Sequence, residues 1–289
     1  MESDTPRTRL ALPKGRMRDS VFTLLRDAGF DLAAGQRSYR LQNALSGFEV
    51  KILKPQNILE MLQAGRRDVG FAGADWVEEL GVDVVEVLDL ELDPVNIVAA
   101  APVQSWQAKL QSGEPLVIAS EYERLTMRWM ERQKWKAQFV RSFGATEVFP
   151  PEDADCIVDN TATGSTLRAN GLTILENILT STTRLYASPE AMENPTHRRR
   201  IEDLAMLLKS VLIARSRVMI EMNVGPDSLQ KVIDVLPCMR EPTVATLYGQ
   251  SGFAVKAAVP SKGLTTLIPL LKANGAEDLV VMELGQIVV

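Results

Sequence analysis

The chain has 289 residues, 46% of them hydrophobic and 24% charged, with a formal net charge of -5; this globular composition, at this length, predicts two or three domains rather than one core. The acidic balance excludes nucleic-acid binding as the main task, because no overall positive field attracts a polyanion, though a local site can still take a small anion. No run approaches the roughly 18 apolar residues of a membrane span, the opening MESDTPRTRLALPKGR has no leader-like apolar core, and Cys156 and Cys238 have neither disulfide nor metal spacing, so a reducing, cytoplasmic setting is expected.

RTRLALP predicts a first strand closed by Pro13, KGR a loop, and RDSVFTLLRDAG a helix with Val21, Leu25 and Ala28 on one face and Gly29 as its stop. FEVKIL alternates as a strand. NILEMLQAG reads as a helix opened by a capping box, with Asn57 as cap and Glu60 three residues on. DVGFAG follows as a short buried strand, ADWVEELG as a short helix, and VDVVEVLDL and PVNIVAAAP as two strands. PLVIAS is a strand and EYERLTMRWMERQKW a helix with Leu125 and Trp129 one turn apart; AQFVRS, DCIVDN, LTILEN and TRLYAS are further short strands. PTHRRRIEDLAMLLKSVLIARS is a long helix whose inner face carries Ile201, Leu204, Leu208, Val211 and Leu212, and whose solvated start is Arg198 to Arg200; the single His197 reads as a surface residue of that helix. This alternation predicts an α/β protein with a largely parallel sheet. From Arg217 onward the order is β-α-β-β-α-β, the split unit of a small separate domain.

The densest chemistry lies in DCIVDNTATGSTLRANGL, Asp155 to Leu172. DCIV reads as a buried strand, and ligands of α/β sheets gather at the carboxyl ends of strands, where a helix N-terminus offers free N–H groups. Thr161, Thr163, Ser165 and Thr166 supply hydroxyls and Gly164 lets the backbone come close, a composition suited to a phosphate monoester. The loop is neither a Walker loop nor a dinucleotide fingerprint, since both spacings are absent. A polar turn capping a helix would use the same residue types. At about 3.3 Å per residue Asp155 and Asp159 stand roughly 13 Å apart; Asp159, at the carboxyl end, takes the ligand role and Asp155 a structural one.

With these residues in view the chain resembles ATP phosphoribosyltransferase, the first enzyme of histidine biosynthesis, over nearly its full length. LALPKGR is similar to the family's opening. LKPQNILEMLQAGRRDVGFAGADW resembles its second signature, SEYERLT the segment before its central helix, and GATEVFPPEDADCIVDNTATGSTLRANGL with ILTSTTRLYAS its phosphoribosyl-diphosphate loop. The C-terminal unit resembles the ACT-like regulatory domain of the long form. Asn57 and Lys54 stand where the family often has Asp and Arg; Asn and Asp cap helices equally well, whereas Lys lacks the bidentate fork of Arg.

The resemblance implies a two-lobed, periplasmic-binding-protein-like α/β catalytic region plus a ferredoxin-like ACT-like domain. Lobe I would hold residues 1–95 with 186–215, lobe II residues 96–185, and the regulatory domain residues 216–289. It implies that N1 of ATP attacks C1 of phosphoribosyl diphosphate, with Mg²⁺ assisting, in a homo-hexamer inhibited by histidine. Such a reaction separates charge, so positioning and electrostatics suffice. Lys14 and Arg16, after the first strand, are candidates to hold the pyrophosphate. Asp159 and Glu147 are candidates for the ribose hydroxyls or a Mg²⁺ water, with no metal ligand singled out. Thr161, Ala162, Thr163, Gly164, Ser165 and Thr166 would bind substrate, as would Lys54; Asp75 reads as a substrate contact or as the cap of the helix after it. Two rivals stand beside this reading: a non-enzymatic amino-acid sensor, and a prephenate dehydratase-like enzyme. The dehydratase's Thr-Arg-Phe is here Thr-Arg-Leu, and a sensor has no reason to carry the phosphate loop with Lys14 and Arg16.

Overall fold

Strand and helix alternate through the first two thirds of the chain in the computed structural model, which describes residues 6–30, 40–41 and 47–289. The elements are β1 (Thr8–Pro13), α1 (Arg18–Asp27), β2 (Arg40–Leu41), β3 (Phe48–Leu53), α2 (Pro55–Gln63), β4 (Val69–Gly73), α3 (Ala74–Leu80), β5 (Val85–Ala101) and α4 (Val103–Ser112). There follow β6 (Leu116–Ser120), α5 (Glu123–Gln133), β7 (Ala137–Arg141), β8 (Cys156–Thr161), α6 (Ser165–Ala169), β9 (Thr173–Ala187), α7 (Pro189–Glu193) and α8 (Pro195–Arg215). The remainder forms β10 (Arg217–Val224), α9 (Leu229–Val235), β11 (Thr243–Thr246), β12 (Phe253–Pro260), α10 (Leu264–Ala273) and β13 (Ala276–Glu283). Two units result. One comprises the described residues up to Asp203 apart from Leu24–Phe30, and the other comprises Leu24–Phe30 with Leu204–Val289.

The first unit is built on a nine-stranded sheet of order β2-β3-β1-β4-β9-β5-β8-β6-β7. It is mixed, not largely parallel. β3, β1 and β4 are mutually parallel, as are β8, β6 and β7, but β9 and β5 run antiparallel to their neighbours and join the two halves. The difference arises where pairs of expected strands merge. VDVVEVLDL and PVNIVAAAP form the single 17-residue β5, carried past Pro94 by left-handed Glu91 and Asp93 (φ 54° and 48°) and by shifts of register. LTILEN and TRLYAS likewise fuse, because the intervening TSTT run is rich in β-branched residues and extends readily. The capping box on α2 is replaced as well. Pro55 occupies the first helical position and Lys54 the cap, and the Asn57 side chain donates to Glu60 within the first turn at 3.3 Å; proline's fixed φ suits that start. Helices pack on the faces, Trp129 of α5 with Ile97 of β5 and Ile118 of β6, and Ile58, Leu59 and Leu62 of α2 under β1 and β4.

The second unit has the expected βαββαβ order. Its antiparallel sheet runs β11-β12-β10-β13. Strict alternation in β10 sends Val218, Ile220, Met222 and Val224 inward against Val232 of α9 and Leu267 and Leu271 of α10. The ladder therefore puts Met219, Val280 and Met282 on the opposite face, away from Val232, Leu267 and Leu271. No described helix is long and apolar enough to cross a membrane.

Candidate functional site

The parallel register of β1 and β3 pairs Pro13 with Leu53, so Lys14 and Lys54 leave adjacent strands side by side at their carboxyl ends. Lys14 N–H donates to the Leu53 carbonyl at 2.8 Å, and Gly15 (φ 80°) turns the chain to present Arg16. From the other half of the sheet β8 delivers Asp159 and Asn160 at its own carboxyl end, and β6 delivers Glu121. After β8 the loop holds itself: Gly164 N–H donates to Thr161 Oγ1 at 2.8 Å, and the Thr163 hydroxyl to Ser165 Oγ at 3.1 Å. Gly164 precedes α6 with φ 71°, and a Cβ there would lie 3.0 Å from the Arg168 guanidinium.

Two cavities open on these residues. One, of about 440 Å³, is lined by Thr161, Ala162, Thr163, Ser165 and Thr166 together with Glu121, Glu147, Asp159, Asn160 and Arg16. The second, of about 360 Å³, is lined by Lys14, Arg16, Lys54, Asp75, Trp76, Tyr122 and Asn160. Arg16 and Asn160 belong to both. Each candidate residue from the sequence thus faces one cavity or the other except Gly164, which shapes the turn that carries its neighbours. Burial pushes the Asp159 carboxyl up to about 6; the Asn160 N–H bonded to it opposes the rise and the charges of Glu121 and Glu147 add to it.

The family model for ATP phosphoribosyltransferase matches residues 54–210, and that for the HisG C-terminal domain matches residues 214–286. The chain belongs to the ATP phosphoribosyltransferase family. It is 37% identical over 285 residues to the ATP phosphoribosyltransferase of Chlorobaculum parvum, covering 97% of both chains. It is 36% identical over 285 residues to that of Pelotomaculum thermopropionicum, covering 97% of this chain and 99% of the relative. Among solved structures, a chain of the ATP phosphoribosyl transferase (HisG:HisZ) complex from Thermotoga maritima superposes with a TM-score of 0.60 at 25% identity, over 70% of this chain and 98% of that one. The match to the C-terminal domain falls on β10 to β13 and fits the long form of the ATP phosphoribosyltransferase family.

Within this family framework Asp75 acquires a definite setting. It does not cap α3, whose cap is Gly73. Its carboxylate, buried, accepts the Ser181 hydroxyl at 2.6 Å and the Tyr122 hydroxyl at 2.9 Å, while Asn160 Nδ2 donates to the same Tyr122 oxygen at 3.3 Å. Trp76 stacks on Tyr122 with ring centroids 4.8 Å apart. Burial, then the charge of Asp75, pushes the Tyr122 phenol well above its ordinary value, so it stays a donor at neutral pH. Glu121, Tyr122, Trp76 and Asn160 were not singled out by sequence reasoning; the signal for the first two lay in SEYERLT, where polar residues stand between a buried strand and a helix. Asp155 is structural, its Oδ2 accepting the Val117 N–H at 2.7 Å. His197 is half-buried rather than a surface residue, its Nδ1 2.9 Å from the Thr8 hydroxyl at the start of β1.

Proposed function

We propose that the chain joins ATP to phosphoribosyl diphosphate, N1 of the adenine forming a bond to C1 of the ribose as the C1–O bond breaks and its electron pair leaves with pyrophosphate. The product is 1-(5-phospho-β-D-ribosyl)-ATP, the first intermediate of histidine biosynthesis. The observation that carries the reading is the pair of adjoining cavities that share Arg16 and Asn160, one for each substrate in this reading, with a cation between them. The hydroxyl loop receives the 5-phosphate, Asp159 and Glu147 the ribose hydroxyls, and Lys14 and Arg16 the diphosphate whose negative charge grows on departure. Lys54 and Asp75 contact substrate from the second cavity. Mg²⁺ keeps most of its waters and uses substrate phosphates with one or two carboxylates; Glu147 and Asp159, both lining the first cavity, are the carboxylates that would hold it. When bound, Mg²⁺ neutralises charge on the diphosphate.

Residues 1–95 with 186–215 and residues 96–185 form the two lobes of this reading, and residues 216–289 the ACT-like domain through which histidine inhibits a homo-hexamer in the cytoplasm. The exposed Val280 and Met282 on the face of β13 opposite the helices support a subunit contact there, since half-exposed apolar strands gain by burial. Pyrophosphate release measured with both substrates and Mg²⁺ tests the reaction. Release requiring both substrates is expected; a chain that binds amino acids but releases none is the sensor instead, and turnover of prephenate points to the dehydratase.

A further inference from the structure

Helix α5 begins without a cap of its own. The residue at its cap position is Tyr122, whose side chain makes no capping bond; its hydroxyl donates to Asp75 instead. The first N–H groups of a helix must nonetheless find acceptors. They find them on another helix: Glu79 of α3, buried, accepts Arg124 N–H at 3.1 Å on one carboxylate oxygen and Leu125 N–H at 3.0 Å on the other. Both oxygens of a carboxylate acting as acceptors at a helix N-terminus is a charge-assisted arrangement favoured by the helix dipole. Asp75 and Glu79 lie one turn apart on α3, so one face of that helix grips both the Tyr122 side chain and the backbone just after it. The grip extends to Arg124, whose guanidinium lies over Gly81 at the end of α3: a Cβ at Gly81 would fall 1.8 Å from it.

We propose that Glu79 is a positioning residue for the phosphoribosyl transfer, holding the start of α5 so that Glu121 and Tyr122 form the walls of the two substrate cavities. It touches neither cavity itself and acts through the Arg124 and Leu125 amides. This rests on the cavities being the substrate sites, so the test has one readout that needs no activity. In the full-length protein, Glu79→Gln keeps the size of the side chain but leaves one acceptor oxygen and turns an N–H group toward an N–H group. Amide hydrogen exchange at Arg124 and Leu125 is expected to accelerate at least tenfold, and KM for one or both substrates to rise at least fivefold with kcat within twofold. Glu79→Asp, milder and a safeguard if the first variant folds poorly, should show both effects to a smaller degree. Ile201→Val, a core change in α8, serves as a control for lowered stability and should leave both KM values alone. Unchanged exchange at the two amides would overturn the capping role. Accelerated exchange with wild-type KM values, or an equal KM rise in Ile201→Val at matched melting temperature, would overturn the positioning role. Should the wild type release no pyrophosphate from these substrates, the functional reading fails while the exchange data still report on the cap.

Discussion

Asp75 and Tyr122, 47 positions apart in sequence, meet through a 2.9 Å hydrogen bond that ties the helix following β4 to the segment entering α5. Both groups are buried, so removing the Tyr122 hydroxyl leaves one Asp75 carboxylate oxygen without its donor, while Ser181 still serves the other. Tyr122→Phe is expected to destabilise by about 1–3 kcal/mol, the usual cost of an orphaned buried polar group. Combined with Asp75→Asn in a double-mutant cycle, urea denaturation should return a coupling above about 1 kcal/mol. Additive effects would mean the bond contributes nothing beyond its parts.

Gly164→Val places a β-branched side chain at φ 71° and 3.0 Å from Arg168. The turn has to open, moving Thr163 and Ser165 together. KM for phosphoribosyl diphosphate should rise at least tenfold while the circular dichroism of the fold is retained. Normal affinity in a folded variant removes the loop from the phosphate site.

Arg16→Ala takes away the cation shared by the two cavities. Losing one group that meets charge developing in the transition state costs about 2.7–4 kcal/mol, so kcat at saturating substrates and Mg²⁺ should fall on the order of a hundredfold or more. Wild-type turnover would return Arg16 to the surface.

The raised carboxyl of Asp159 makes two linked predictions. Its folded value of about 6 lies above the ordinary carboxylate range, so the folded state holds this proton longer than the unfolded chain does. Stability is therefore lost as pH rises through that window, and Asp159→Asn should stabilise the protein on the order of 1–3 kcal/mol near pH 7.5 and scarcely at all near pH 3.5. If Asp159 holds the ribose hydroxyls as proposed, the same substitution should weaken phosphoribosyl diphosphate binding above pH 6, where the wild-type carboxylate is ionised. Thermal unfolding at both pH values, with a pH series of KM, decides both.

Val280→Asp puts a charge on the face of the β10–β13 sheet opposite its helices, where Val280 is 51% exposed. If the proposed subunit contact and histidine regulation lie there, light scattering should show a smaller assembly and a histidine titration a weaker inhibition. An unchanged assembly would move the proposed contact elsewhere.

The residues that line the two cavities could be picked out in the sequence because they stand just after apolar strand runs, although a polar capping turn uses the same small and hydroxylated residue types. Lys14, Lys54 and the Thr161–Thr166 loop all stand directly after apolar runs. What stayed hidden depends on pairing across long distances. The antiparallel centre of the sheet required β5 to continue through ELDP, where Pro94 and two left-handed residues mimic a turn. The Asp75 setting required Ser181, 106 positions away, and local preference read the same aspartate as a cap. Glu79 carries no local signal at all, since its partners are backbone amides 45 and 46 positions on.

The two long strands have a thermodynamic consequence. β9 bonds to β4 at one end and to β5 along its whole length, and β5 bonds to β8 at the opposite end. Neither group of parallel strands can lose its inner neighbour without stripping the ladder from the other. Melting of this nine-stranded unit is therefore expected as a single all-or-none event, with coincident transitions by amide exchange in β7 on one side and in β1 on the other.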